Sequence, residues 1–138
     1  MKRYALSMVA ALALAGCSMG QDLSTGGAAV DAFHNQLDAG QFDAITAAAG
    51  PEIQAVPGGF APVLGQIHAR LGKVKSSTRT GFNDSVDNGD HRLELTYDTK
   101  FERGDGKEEF VFRMINGKSV LAGYHVKSDA LNGNYSAN

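Results

Sequence analysis

The hydrophobic pattern of this chain changes period at Gly72, and that change constrains the fold more than any other feature of its 138 residues. Upstream, apolar residues recur at helical spacing. Phe60, Val63, Leu64, Ile67 and Leu71 form the clearest stripe. Pro62 falls in the first turn of that segment, where a missing N–H is tolerated, and Gly72 ends it. Downstream, apolar and polar residues alternate. Leu93, Leu95, Tyr97 and Phe101 share one side, with Arg92, Glu94, Asp98 and Lys100 on the other. Phe110, Phe112 and Met114 repeat the pattern, as do Val120, Ala122, Tyr124 and Val126. A weaker alternation groups Val74, Ser76, Thr78, Thr80 and Phe82.

The joints between these strands are short. Asp87–Asp90 (DNGD), Gly104–Gly106 (GDG) and Asn116-Gly117 carry hairpin chemistry, because Asn and Gly accept positive φ. Joints this short exclude parallel crossovers. The chain is therefore expected to be α+β, with N-terminal helices packed on a four-stranded antiparallel meander whose apolar face they cover. Val30, Phe33 and Leu37 mark a helix over Ala28–Ala39, capped by Ser24 or Thr25 and closed by Gly40. Phe42 and Ile45 mark a second over Gln41–Ala49, stopped by Gly50-Pro51. The domain is expected over residues 28–129, with 130–138 a polar, fraying tail.

The N-terminus has a different character. Lys2-Arg3 precedes an apolar run, Tyr4–Ala15, broken only by Ser7 and far shorter than the ~20 residues that span a bilayer. Leu14-Ala15-Gly16-Cys17 resembles the lipobox of bacterial lipoproteins. That resemblance implies a signal peptide over 1–16, cleavage before Cys17 and diacylglyceryl attachment to its thiol. The bland alternative is an ordinary secretory signal beside a chance cysteine. Cys17 is the chain's single cysteine, so an exported form has no intramolecular disulfide to make. Ser18–Gly27 reads as a flexible tether completing a 17–27 linker. Taking Lys2 and Arg3 out of the 13 basic residues leaves 11 against 15 acidic ones, a net charge of −4 that adds no electrostatic grip on an anionic bilayer. No basic stripe points to nucleic acid. Ser18, rather than Asp, after the cysteine implies the outer membrane, facing the periplasm, if the cell is Gram-negative.

Three helices followed by a long antiparallel sheet resemble the cystatin-like folds of the nuclear-transport-factor-2 (NTF2) type. The segments Phe33–Ile45, Arg70–Asn83, Leu95–Gly104 and Leu121–Leu131 are, more narrowly, similar to a family of small bacterial lipoproteins. The resemblance implies fold and envelope location, and no activity.

Candidate chemistry is sparse. His34, His68, His91 and His125 show no metal-ligand spacing, and no cofactor motif appears. Asp84, Asp87 and Asp90 do not alternate as a calcium loop requires. Arg103-Gly104-Asp105 reads as turn chemistry rather than an adhesion motif. A cone-shaped fold could host isomerase or dehydratase chemistry on an apolar substrate, with Tyr97 and Tyr124 facing inward and His34 or Asp31 approaching from the first helix. Core packing is the competing reading of those tyrosines. The sequence therefore favours a lipid-anchored, non-catalytic module binding an envelope protein or a small apolar ligand, with the enzyme as alternative.

Overall fold

The computed structural model describes residues 15–131 and 133–137. Most of the expected signal peptide therefore lies outside the described residues. Among the described residues, four helices, α1 (Ala15–Asp38), α2 (Phe42–Ala48), α3 (Pro51–Gln54) and α4 (Phe60–Leu71), precede five strands. These are β1 (Val74–Asp87), β2 (Asp90–Phe101), β3 (Gly104–Ile115), β4 (Lys118–Ser128) and β5 (Gly133–Ala137). All neighbours pair antiparallel in the order β1-β2-β3-β4-β5, so the fold is the expected α+β meander with one strand added.

The fifth strand corrects the reading of 130–138 as a fraying tail. After a 3-10 turn at Asp129–Leu131, the backbone of β5 pairs with Tyr124–Ser128, and Leu131 and Ala137 are buried. The polar composition of this stretch hides its role, because β5 satisfies the open edge of β4 through main-chain bonds.

The second correction concerns the tether. Residues 18–27 continue α1 without a break, so Ser24 and Thr25 sit inside a helix rather than capping one. The glycines that read as linker permit close approach. A Cβ on Gly26 would lie 2.6 Å from Leu93 Cδ2 and 3.0 Å from Leu95 Cδ1, so α1 lies tightly on β2 there. Gly40, at φ +71°, ends the helix as expected.

Val30, Phe33 and Leu37 of α1 and Phe60, Leu64, Ile67 and Leu71 of α4 cover the sheet. Their partners are Leu93, Leu95, Tyr97 and Phe101 of β2, Phe110, Phe112 and Met114 of β3, and Tyr124 and Val126 of β4. Each fully buried aliphatic or phenylalanine side chain contributes about 1.5–3 kcal/mol.

The turns Asn88-Gly89 and Asn116-Gly117 have positive φ at both residues, which matches the right-handed twist of the flanking strands. The expected turn at Gly104–Gly106 moves upstream to Glu102-Arg103, and the glycines belong to β3. The reason is a clamp on the end of α4. Arg103 Nη2 donates to the carbonyls of Ala69 (2.7 Å) and His68 (3.3 Å), and its Nε donates to that of Arg70 (3.1 Å). Glu102 Oε1 accepts from the Lys73 N–H at 2.7 Å.

Register shifts alter two faces. In β4 a bulge opposite Val111/Phe112 pairs Leu121 with Phe112 and Val120 with Arg113, so Val120 does not share the face of Tyr124 as expected, while Ala122 stays buried in the bulge. In β1, shifts at Val74/Ser76 and Arg79/Gly81 break the alternation, and Phe82 is exposed. β1 is an edge strand with little burial on either face, which explains its weak pattern.

Candidate functional site

The inward face of β3 carries one charged residue among its apolar neighbours. Glu108 stands two residues before Phe110, so the pleat that buries Phe110, Phe112 and Met114 buries it too. Its side chain is 0% exposed. Three side chains from three other elements surround the carboxyl. Tyr124 of β4 donates its hydroxyl to Oε2 at 2.6 Å, and Thr99 of β2 donates to Oε1 at 2.5 Å. His34 of α1 places Nε2 2.8 Å from the same Oε1. Thr99 in turn meets the Ser77 hydroxyl of β1 at 3.0 Å. A buried carboxyl group surrounded by donors is the arrangement that makes its burial tolerable.

The surroundings are aromatic. The Phe33 ring stands 5.2 Å from Phe110 and 4.8 Å from Tyr124, and Phe60 approaches Tyr124 from α4. The Tyr124 phenol is pushed well above the ordinary tyrosine value by burial first, then by the Glu108 charge and the hydrogen bond to it.

Of the four residues expected to line a catalytic cone, His34 and Tyr124 come together in this cluster. Tyr97 packs its ring at 86° to Phe110, and its hydroxyl faces Gly27 of α1. No hydrogen bond among the described residues joins it to Glu108. Burial, ahead of the other influences on it, raises the Tyr97 phenol above its ordinary value. Asp31 is exposed on α1, outside the cluster. Glu108 and Thr99 are not among the residues that the sequence pattern singles out. The signal for Glu108 was its even spacing from Phe110, Phe112 and Met114.

A base, a phenol and a carboxyl group within hydrogen-bond reach in an apolar setting are components of proton-transfer chemistry. Here they engage one another: His34 is 6% exposed and Tyr124 2%, and aromatic rings pack around them. An apolar cleft of about 160 Å³ opens nearby between α1, α2 and the ends of β3 and β4, lined by Ala29, Phe33, Ile45, Ala49, Phe112 and Leu121 among others. That volume is below the ~300–1,000 Å³ usual for small-molecule sites.

The solvent face of the sheet offers a larger space. A groove of about 720 Å³ crosses β1 to β4, bordered by Ser76, Thr78 and Thr80, by Asp98, Asp105 and Asp129, and by Lys100, Lys107 and Lys127. The register places Thr78, Asp98, Lys107 and Lys127 in one row across four strands. Lys107 and Lys127 are directly opposite each other, a like-charge pairing that costs a sheet stability. Neither forms an ion pair among the described residues.

The remaining histidines lie on separate elements, α4, β2 and β4. His68 of α4 lies 5.9 Å from the Phe42 ring, with Nδ1 buried and without a hydrogen-bond partner among the described residues. His125 is half-buried on β4. His91 opens β2, where Nε2 stands 2.7 Å from Asp84 and 3.5 Å from Asp22. Asp90 pairs instead with Arg92 and Arg113, and the Arg92 hydrogen bond holds its carboxyl below the usual range.

Cys17 lies within the helical span of α1. No helix among the described residues is long and apolar enough to cross a membrane. Comparison of the chain with protein-family models, with curated proteins and with solved structures finds no match.

Proposed function

We propose that this protein is a lipid-anchored, non-catalytic binding module of the bacterial envelope. It is held at the membrane through Cys17 and receives a polar partner in the groove on the solvent face of its sheet. One observation carries the binding half: Lys107 and Lys127 face each other in that groove, and although Asp98 stands across from Lys107, neither lysine forms an ion pair among the described residues, so an acidic group on a partner offsets their like-charge pairing. The groove volume also falls within the usual range for a ligand site, whereas the apolar cleft does not. This favours a polar partner over a small apolar ligand. The cluster around Glu108 is read as structural, because its members are closed from solvent and bonded to one another. The anchor rests on the Leu14–Cys17 lipobox resemblance and on the charged, then apolar, segment before it.

The two halves are tested separately. A photo-crosslinking residue at Thr78, in the groove, is expected to capture a defined envelope partner, and Lys127→Glu is expected to abolish that capture. Capture that survives Lys127→Glu removes the groove from the proposal. Cys17→Ser is expected to block acylation and leave an uncut precursor; normal processing of that variant refutes the anchor.

A further inference from the structure

We propose that Asp22, Asp84 and His91 form a binding site for a divalent transition-metal ion of the zinc type. The three residues come from separate elements: Asp22 from the second turn of α1, Asp84 from β1 and His91 from the start of β2. Asp84 pairs in the ladder with Leu93, and His91 pairs with Val86, two positions nearer the hairpin tip. Asp84 and His91 are thus diagonal neighbours on the inward face of the hairpin, where the apolar stripe of Leu93, Leu95 and Tyr97 gives way to polar groups. Asp22 reaches them from the helix lying over that face.

The spacing suits a shared ion. His91 Nε2 is 2.7 Å from Asp84 Oδ1 and 3.5 Å from Asp22 Oδ2, and one donor atom from each residue lies within 4.8 Å of the others. Ligand atoms held at zinc bond lengths stand about 3.0–3.4 Å apart, so the two His91 distances lie within a few tenths of an ångström of that spacing and the carboxylates, within 4.8 Å of one another, need only side-chain adjustment to share one ion. The charge balance points the same way. Two carboxylates converge on a single imidazole, and among the described residues no Lys or Arg forms an ion pair with either of them.

One nitrogen and two oxygen donors select an ion of borderline softness over calcium or magnesium, which take oxygen ligands. The three side chains are only partly buried, His91 at 29% exposure, which leaves a coordination position for water or for a group on a partner. Bound metal would tie the early turns of α1 to the β1–β2 hairpin.

The test uses the full chain, stripped with a chelator and titrated with Zn²⁺ by calorimetry and with Co²⁺ by visible absorption. One ion per chain is expected. Binding should weaken at least about tenfold in His91→Gln and in Asp22→Asn, and stay unchanged in His125→Gln. In the wild-type chain, Zn²⁺ should shift the ring-nitrogen NMR signals of His91 and leave those of the other three histidines in place. This reading stands even if a variant misfolds. Absence of saturable one-to-one binding, binding that persists in both ligand variants, or an unmoved His91 ring overturns the site.

Discussion

His34 Nε2 on α1 lies 2.8 Å from Glu108 Oε1 on β3, so residues 74 apart in the chain meet inside the apolar core. Tyr124 and Thr99 complete the set of donors on that carboxyl. Glu108→Ala leaves three buried polar groups without their partner, and the expected loss is about 3–5 kcal/mol. That is a large part of the ~5–15 kcal/mol that holds a domain folded. Glu108→Gln keeps an acceptor oxygen and should cost about 1–3 kcal/mol. Urea unfolding near neutral pH measures both; equal losses would show that the carboxylate itself, rather than side-chain volume or one retained acceptor oxygen, holds the cluster together.

The raised Tyr124 phenol makes stability sensitive to alkali. The folded chain retains this proton where the unfolded chain, with an ordinary value near 10.0, releases it. The stabilisation is fully present below pH 10 and is lost progressively as pH rises toward the folded-state value. Tyr97 shifts in the same direction and adds to the slope. Urea midpoints measured from pH 8 upward are expected to fall beyond about pH 10, and Tyr124→Phe should flatten that fall while lowering the midpoint at neutral pH.

Two glycines of α1 are expected to respond to alanine with opposite signs. A Cβ on Gly20 meets nothing within 4 Å, so Gly20→Ala gains helix propensity and should stabilise by about 0.5–1 kcal/mol. A Cβ on Gly26 meets the fully buried Leu93 at 2.6 Å. Crowding of that kind costs about 1–3 kcal/mol, which outweighs the propensity gain. Thermal midpoints of the two variants decide the matter, and a stabilised Gly26→Ala would show that α1 does not seat on β2 as described.

Removal of residues 132–138 takes β5 away and leaves the backbone of β4 unpaired at Tyr124–Ser128. The truncated chain is expected to melt lower and to self-associate through the open edge, visible as larger species by light scattering. A monomeric, equally stable truncation would return this segment to the status of a tail.

Within the groove, Lys127→Glu converts a like-charge pairing with Lys107 into an attractive one. A gain of about 0.2–1 kcal/mol in stability is expected, alongside the loss of partner capture. Opposite movement of stability and binding would mark a residue retained for recognition, whereas loss of both would mark a structural one.

Most of the layered arrangement was legible from residue order. The stripe from Phe60 to Leu71 gave α4, and Asn88-Gly89 and Asn116-Gly117 gave two of the hairpins, because local backbone chemistry decides those features. What escaped depended on contacts distant in the chain. Gly26 disfavours a helix by propensity, and its close approach to Leu93 and Leu95 explains its place in one. Glu108 and Glu109 stand side by side, so a strand must bury one of them, and counting back from Phe110 would have identified Glu108. The Asp22, Asp84 and His91 grouping has no sequence spacing to betray it, since hairpin register and helix placement create it together.

The unbroken course of α1 bears on how the domain sits at a bilayer. If Cys17 carries lipid, the anchor joins a rod rather than a cord: the 21 residues from Cys17 to Leu37 rise about 1.5 Å each without a hinge. The height and compass bearing of the groove relative to the membrane plane are then set by helix geometry. A single residue inserted just after Cys17 would swing the groove by about 100° about the helix axis, presenting it to a different neighbour with every side chain of the groove unchanged.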